Sequence, residues 1–373
     1  MSINLVWNQF SNWIMQAGLP TVAVYHALCS STFLNIAAGD AEGIEKIANF
    51  YLAPVQYLLA GKQADPVFSE TGELISYRLK QRFSYEDPLI WVKTLGAYCA
   101  LPSSLIIGST LKGVSYAFEG IRQKAQKIST CLMTAPIISQ NESYLKMGIE
   151  LIDFDQAEQI ESQGYQRRPG DELKLQAEKQ ALKEIVSLLN EHKIVYWLDC
   201  GTCLGAYRYG GNIPWDWDLD LAILKPDFAN VRQILQKLDP NKYVVQDWSS
   251  RDKTESYLKV YVKEGGSLID IYHFVIDPES KIVHSIVSNE DSIFLPESWK
   301  IRERSYTVPS SFDIVFPLKK ISFDGVLAYV PNKTKTYLEQ RYSGDISPAR
   351  VYSQETGQYE KVPDHPYWNK SSR

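Results

Sequence analysis

No aspartate, glutamate, lysine or arginine occurs before Asp40. A secretory signal opens on a positively charged segment, so this lack argues against one. The same stretch is too rich in Asn8, Asn12, Gln16, Pro20 and His26 to favour a spanning helix. It reads instead as buried helices or as a membrane-associated helical region. A second weakly charged run, TLGAYCALPSSLIIGSTL at 94–111, is interrupted by Pro102 and the serines that follow it. Cysteine is scarce: five, an odd number without regular spacing, which does not make a disulfide framework and points to a reducing compartment. The five histidines, His26, His192, His273, His284 and His365, are dispersed, and no second cysteine pair joins Cys200 and Cys203. A zinc site therefore has no second half. The formal charge of -5 is spread out with no basic block, which argues against nucleic-acid binding. Internal repeats and low-complexity tracts are absent as well.

What is present is a chain of 373 residues, long enough for two domains, with 45% hydrophobic and 22% charged residues, the balance of a folded protein. Residues 1 to about 125 read as helical, with candidate helices EGIEKIANFYLAPVQYLLAG and KGVSYAFEGIRQKAQKIST. The chain turns polar and irregular from about 135 to 170. Leu175, Leu182, Ile185, Leu188 and Leu189 then mark a helix. Strands follow at IVYWLD, WDWDLDLAIL, SYLKVYVK, SLIDIYHFV and ISFDGVLAYV, with helices at FANVRQILQKL and TKTYLEQRY. The expected organisation is a helical region over 1–150, an α+β domain over 151–350 and a C-terminal tail over 351–373.

Residues 201–224 read GTCLGAYRYGGNIPWDWDLDLAIL. On a strand, Asp216, Asp218 and Asp220 share one face, and Trp217, Leu219 and Leu221 the other. Like charges so placed repel and raise one another's pKa unless a cation neutralises them. A solvated acidic edge strand would tolerate the pattern, but Leu221, Ala222, Ile223 and Leu224 carry this strand into a core. Asp270 lies between Ile269 and Ile271, in the second strand of a hairpin turned at Gly265-Gly266, an expensive place for an unpaired charge. Alone it reads as a satisfied structural residue. Beside the Asp218/Asp220 strand it completes a three-carboxylate cluster suited to Mg²⁺ or Mn²⁺ and to phosphoryl chemistry. Gly201 and Thr202 follow a strand, as residues that let backbone N–H groups approach a phosphate do. Arg208 is a candidate for a forked phosphate contact or a surface arginine. Cys200 and Cys203 have C-x-x-C spacing, but the residues between them are those a phosphate loop needs. His273 is three positions from Asp270 and points to the opposite face.

A Gly-Thr pair, an acidic–apolar alternating strand and a later strand aspartate resemble the nucleotidyltransferase (polymerase-beta-like) fold. More closely, GTCLGAYRYGGNIPWDWDLDLAIL resembles the LicD family, which includes bacterial phosphocholine transferases and, more distantly, fukutin and the fukutin-related protein. FPLKKISFDGVLAYVPNKTKTYLEQRYSGD is similar to that family's closing segment. The resemblance covers roughly 195–345. Two departures are Trp217, where bacterial members often have a fourth aspartate, and Tyr342-Ser343-Gly344 in place of Tyr-Gly.

The resemblance implies a mixed sheet flanked by helices. It also implies transfer of a phospho-substituent, phosphocholine or a polyol phosphate, from a CDP-linked donor to a glycan or lipid-linked hydroxyl acceptor. Asp218, Asp220 and Asp270 would be metal ligands and catalytic residues, with Asp270 nearest the role of base. Asp216 would orient a ligand or the acceptor. Gly201, Thr202 and Arg208 would hold the donor phosphates, with Lys259 and Lys319 as secondary candidates for charge neutralisation. A cytoplasmic, membrane-associated enzyme with peripheral contact through its N-terminal region is the expectation. The alternatives are a nucleotidyltransferase that releases pyrophosphate and a scaffold with a vestigial site.

Overall fold

A computed structural model describes residues 28, 31–59, 61–83, 88–134, 144, 146–148, 152, 156–168, 170–171, 175–249, 253, 255–287, 297–342 and 344–368. The uncharged opening run lies outside the described residues up to position 27. The chain divides into two compact units, Met1–Pro136 and Ile137–Arg373.

In the first unit, strands β1 (Ile36–Ala38), β2 (Lys62–Phe68) and β3 (Leu74–Gln81) form a sheet, parallel between β1 and β2 and antiparallel between β2 and β3. Besides a single helical turn at Thr32–Asn35, the helices among the described residues are α1 (Gly43–Tyr51), α2 (Ala53–Leu58), α3 (Ile90–Ser115) and α4 (Glu119–Thr134). The helical expectation for this region missed the sheet. Pro66 inside β2 hid it from the sequence pattern. β1 pairs with β2 no further than Ala64, so the N–H that proline lacks is needed by no neighbour there. Helix α3 packs against α1, and a Cβ on Gly108 would stand 2.7 Å from Leu52.

The second unit is built on strand β5 (Tyr196–Leu198), whose three residues are all buried, as in strands covered on both faces. Trp197 packs edge-on against Phe274 at 4.9 Å and Phe316 at 5.8 Å. Helix α5 (Gln176–Glu191) buries Ala181, Leu182, Ile185 and Leu189, the 3.6-residue stripe seen in the sequence. Beside β5 runs β6 (Asp218–Leu224), followed by α7 (Phe228–Leu235), with α6 (Cys200–Tyr209) connecting β5 to β6. Strands β7 (Tyr243–Asp247), β8 (Tyr257–Val262), β9 (Leu268–Asp277), β10 (Ile282–Ser285) and β11 (Ser310–Ser311) complete a seven-stranded mixed sheet. The long β9 is its centre. One edge pairs with β6 in parallel, and the other pairs first with β8 and then with β10, both antiparallel.

Helix α8 (Glu297–Tyr306) precedes β11. The stretch ISFDGVLAYV is a hairpin rather than one strand: β12 (Lys319–Phe323) and β13 (Val326–Val330) turn at Asp324 and Gly325, with φ of 48° and 80°. Asp-Gly supplies the two positive φ angles that such a turn requires. A two-residue strand β4 (Gln159–Ile160) pairs with β12. Helix α9 (Thr334–Arg341) follows, and the chain then forms the β14 (Arg350–Ser353) and β15 (Gln358–Lys361) hairpin. Tyr359 fastens this hairpin to the unit by donating to Asp171 Oδ2 at 2.6 Å and accepting from the Arg168 N–H at 2.7 Å.

His273 lies on the face of β9 opposite Asp270, fully buried, with its ring 4.5 Å from that of Phe228. Burial pulls its pKa down to about 3. The unfolded chain binds a proton near pH 6.5 while the folded chain does not, so stability is complete above that pH and falls below it, by roughly 1.4 kcal/mol per pH unit. Replacing His273 with Leu removes this slope. Denaturant unfolding at pH 7 and pH 5 is expected to show the variant gaining about 2 kcal/mol relative to wild type.

Candidate active site

Parallel pairing places the N-terminal ends of β6 and β9 at the same end of the sheet, and β5, antiparallel to β6, delivers the start of α6 to that end. Asp220 and Asp270 are direct partners across β6 and β9, and Lys259 is the direct partner of Asp270 across β8 and β9. Side chains of direct partners rise from one face of a sheet. Asp218, two residues before Asp220, shares that face. One carboxylate oxygen from each of Asp218, Asp220 and Asp270 lies within 4.8 Å of the others. Asp220 and Asp270 are buried and Asp218 is half-buried.

Burial, followed by the charges of Asp218, Asp270 and Asp216, drives the Asp220 carboxyl well above the usual range. Asp270 is also raised by burial, against the pull of Lys259, whose Nζ is 3.0 Å from Asp270 Oδ1. The donor set is all oxygen, negatively charged and convergent, which fits a hard divalent cation. Such an ion would remove the repulsion that the fold otherwise holds in place.

Asp216 does not stand on the strand. β6 begins at Asp218, and Pro214 and Trp215 form a turn closed by the Asp216 N–H on Ile213 O at 3.0 Å. From that turn the Asp216 carboxyl folds against Gly201, where an added Cβ would meet its Oδ2 at 2.4 Å. Burial and then Asp218 push Asp216 up to about 7. Gly201 is therefore small to admit a carboxylate of the chain itself. Thr202 is buried, and its Oγ1 accepts the backbone N–H of Asp220 at 2.7 Å, tying α6 to β6. That hydroxyl oxygen is committed to the scaffold. Arg208 is not brought to the cluster: it sits in the last turn of α6, with Nε and Nη2 donating to the carbonyls of Ile346 and Ser347. The helix carries it away from the end where the aspartates converge. Lys319 pairs with Glu158.

Several residues at the site carry no sequence signal. Asp199, the N-cap residue of α6, is buried and accepts from the Tyr337 hydroxyl at 2.7 Å. Arg341 is ion-paired to the same carboxylate oxygen at 3.5 Å and donates to the Tyr337 oxygen at 2.6 Å. Helix α9 thus locks the residue preceding α6. Glu178 of α5 is buried near Asp218 and accepts from Ser267 at 2.5 Å and Asn212 at 3.3 Å. In the sequence it looks like an ordinary first-turn acid. Cys200 and Cys203 are free thiols pushed up by burial and by Asp199, the opposite of an activated pair.

The LicD family's domain description, "LicD/FKTN/FKRP, nucleotidyltransferase domain", matches residues 193–333, a span that contains the cluster, the start of α6 and Lys259. Over these residues the chain is similar to the LicD family. Among proteins similar to this chain, "Uncharacterized protein RP689" of Rickettsia prowazekii (strain Madrid E) is 29% identical over 175 residues, 47% of this chain and 57% of that protein. "Ribitol 5-phosphate transferase FKRP" of Homo sapiens is 24% identical over 177 residues, 46% of this chain and 32% of that protein. The chain thus spans between a third and just over half of these curated relatives' lengths. A solved structure, "Terminal uridylyl transferase 4 from Trypanosoma brucei with bound GTP", aligns at a TM-score of 0.17 and 10% identity. It covers 28% of this chain and 37% of that one, too slight a likeness to bear on the fold.

The Asp199–Arg341 pair ties helix α9 to the start of α6, with both side chains 2% exposed. Removing one partner leaves a buried charge uncompensated. Arg341→Met is expected to lose about 3–5 kcal/mol of stability, measured by urea unfolding at pH 7.

Proposed function

We propose that the LicD domain transfers a phospho-substituent, phosphocholine or a polyol phosphate, from a CDP-linked donor to a hydroxyl of a glycan or lipid-linked acceptor. The observation that carries this reading is the convergence of Asp218, Asp220 and Asp270 within 4.8 Å, on two strands of the matched domain. These carboxylates hold Mg²⁺ or Mn²⁺. When bound, the ion supplies charge neutralisation on the donor's phosphate oxygens. The chain's own residues do the rest. The first-turn N–H groups of α6, unpaired within the helix, face the end of the sheet where donor phosphates would lie. Asp216, held against Gly201, orients the acceptor. Asp270 takes the proton of the attacking hydroxyl.

Mass-spectrometric product analysis with CDP-choline, CDP-ribitol and CDP-glycerol tests the reaction. Release of CMP with the substituent moved to the acceptor is the expected outcome, and Asp218→Asn or Asp270→Asn is expected to lower the rate by roughly a hundredfold or more. Pyrophosphate released from a nucleoside triphosphate would assign the domain to nucleotidyl transfer instead. Function undamaged by Asp218→Asn would indicate a scaffold.

The partner proposed for the first unit is a membrane surface. Helix α3 is long and apolar enough to cross a bilayer, and no charge occurs between Lys93 and Lys112. Its buried stripe is Ala97, Ser104, Gly108, Lys112 and Ser115, small or polar, while Trp91, Leu95, Tyr98 and Ile106 are exposed. A helix packed in water has the reverse distribution. The outer face of α3 is assigned to the bilayer interface, with the aromatic side chains at headgroup depth. Flotation with phosphatidylcholine–phosphatidylglycerol vesicles is the check. Wild type is expected to float, and Leu95→Glu with Ile106→Glu is expected to remain at the bottom of the gradient.

A further inference from the structure

Lys259 is held on two sides by groups of different kinds. Its Nζ lies 3.0 Å from Asp270 Oδ1, and the same ammonium stands 4.8 Å from the ring centre of Trp248 and 5.5 Å from that of Tyr257. Neither ring is loose. Trp248 Nε1 donates to Gln246 Oε1 at 2.9 Å, and Tyr257 stacks on Tyr272 at 5.0 Å with the planes 6° apart. The lysine is nearly buried, its side chain 12% exposed. One positive charge thus faces a cluster of three carboxylates, bonded to a member of the cluster itself.

A divalent ion bound by Asp270 would stand beside that ammonium. The two positive charges repel at short range in a site shielded from water, where such repulsion is strong. The lysine stem is flexible, and the aromatic faces give its head a second place to rest at little cost. We propose that Lys259 is a tethered counter-ion of the carboxylate cluster, displaced from Asp270 when a divalent cation binds and retained by Trp248 and Tyr257 to meet a donor phosphate oxygen. This rests on the reading of the cluster as a divalent-cation site. Cation binding is then an exchange of charges: the ammonium leaves one carboxylate oxygen and becomes free to pair with an incoming phosphate. The site is poised to accept ion and nucleotide together.

The test uses the full chain and Tb³⁺ as the probe, with luminescence excited through Trp248 and its neighbouring tyrosines. Lys259→Met is expected to bind Tb³⁺ roughly tenfold or more tightly than wild type, because the competitor is gone. Lys259→Arg keeps the charge and is expected to stay within about twofold of wild type. Asp220→Asn is expected to lose binding. As a second measurement, amine labelling of Lys259 in wild type, read by mass spectrometry, is expected to rise several-fold on adding Mg²⁺ and to fall again when CMP is added with it. Equal or weaker Tb³⁺ binding by a Lys259→Met protein with an unchanged circular-dichroism spectrum would overturn the exchange. So would labelling indifferent to Mg²⁺. If neither wild type nor any variant binds Tb³⁺, the cation reading of the cluster falls first and this inference with it.

Discussion

The parallel pairing of β6 and β9 is the constraint on which the site depends. Because the two strands run the same way, Asp220 and Asp270 stand side by side at one end of the sheet. Antiparallel pairing in another register could have left the two carboxylates on neighbouring strands far apart. The hydrophobic core holds that register: Leu219, Leu221 and Ile223 alternate into a fully buried layer, as do Ile269 and Ile271. A one-residue slip would turn every one of these to the wrong face. The core therefore enforces a concentration of negative charge that the carboxylates on their own would avoid.

Around that charge the fold places two cations with different tasks. Arg341 is committed to Asp199, with both side chains out of water, and secures the start of α6 next to Asp220. Lys259 faces the cluster, and its other neighbours are aromatic faces rather than a second acid. A guanidinium with its planar fork suits a permanent buried pairing, and an ammonium on a flexible stem suits one that changes partner. Gly201 belongs to the same arrangement, since the absence of its side chain admits the Asp216 carboxyl to the end of the sheet.

The elements of the second unit were legible where hydrophobic spacing is strong: the α5 stripe, the buried YWL of β5, and the hairpin of β8 and β9 with glycines at φ 80° and 72° in its turn. In either unit, elements are hidden where local chemistry cuts across the pattern. Asp324-Gly325 divides one apolar run into two strands, and Pro66 concealed β2. Asp216 looked like a strand residue because its spacing from Asp218 is two, yet the Pro214-Trp215 turn ends only just before the strand begins. Arg208 looked like a phosphate ligand because it lies between Gly201-Thr202 and the aspartates, but eight residues of helix separate its head from the site.

By itself, the sequence determined that Asp218 and Asp220 share a face, that Asp270 is an acid surrounded by apolar neighbours, and that the domain resembles the LicD family. Each of these follows from alternation along one strand or from a contiguous motif. Tertiary structure alone decided which residues meet across distance: Asp270 with Lys259, Asp199 with Arg341, and Glu178 with Ser267 and Asn212. The reason is geometric. Period and spacing report direction within an element, whereas the company that a side chain keeps depends on strand order and register, which no local pattern carries.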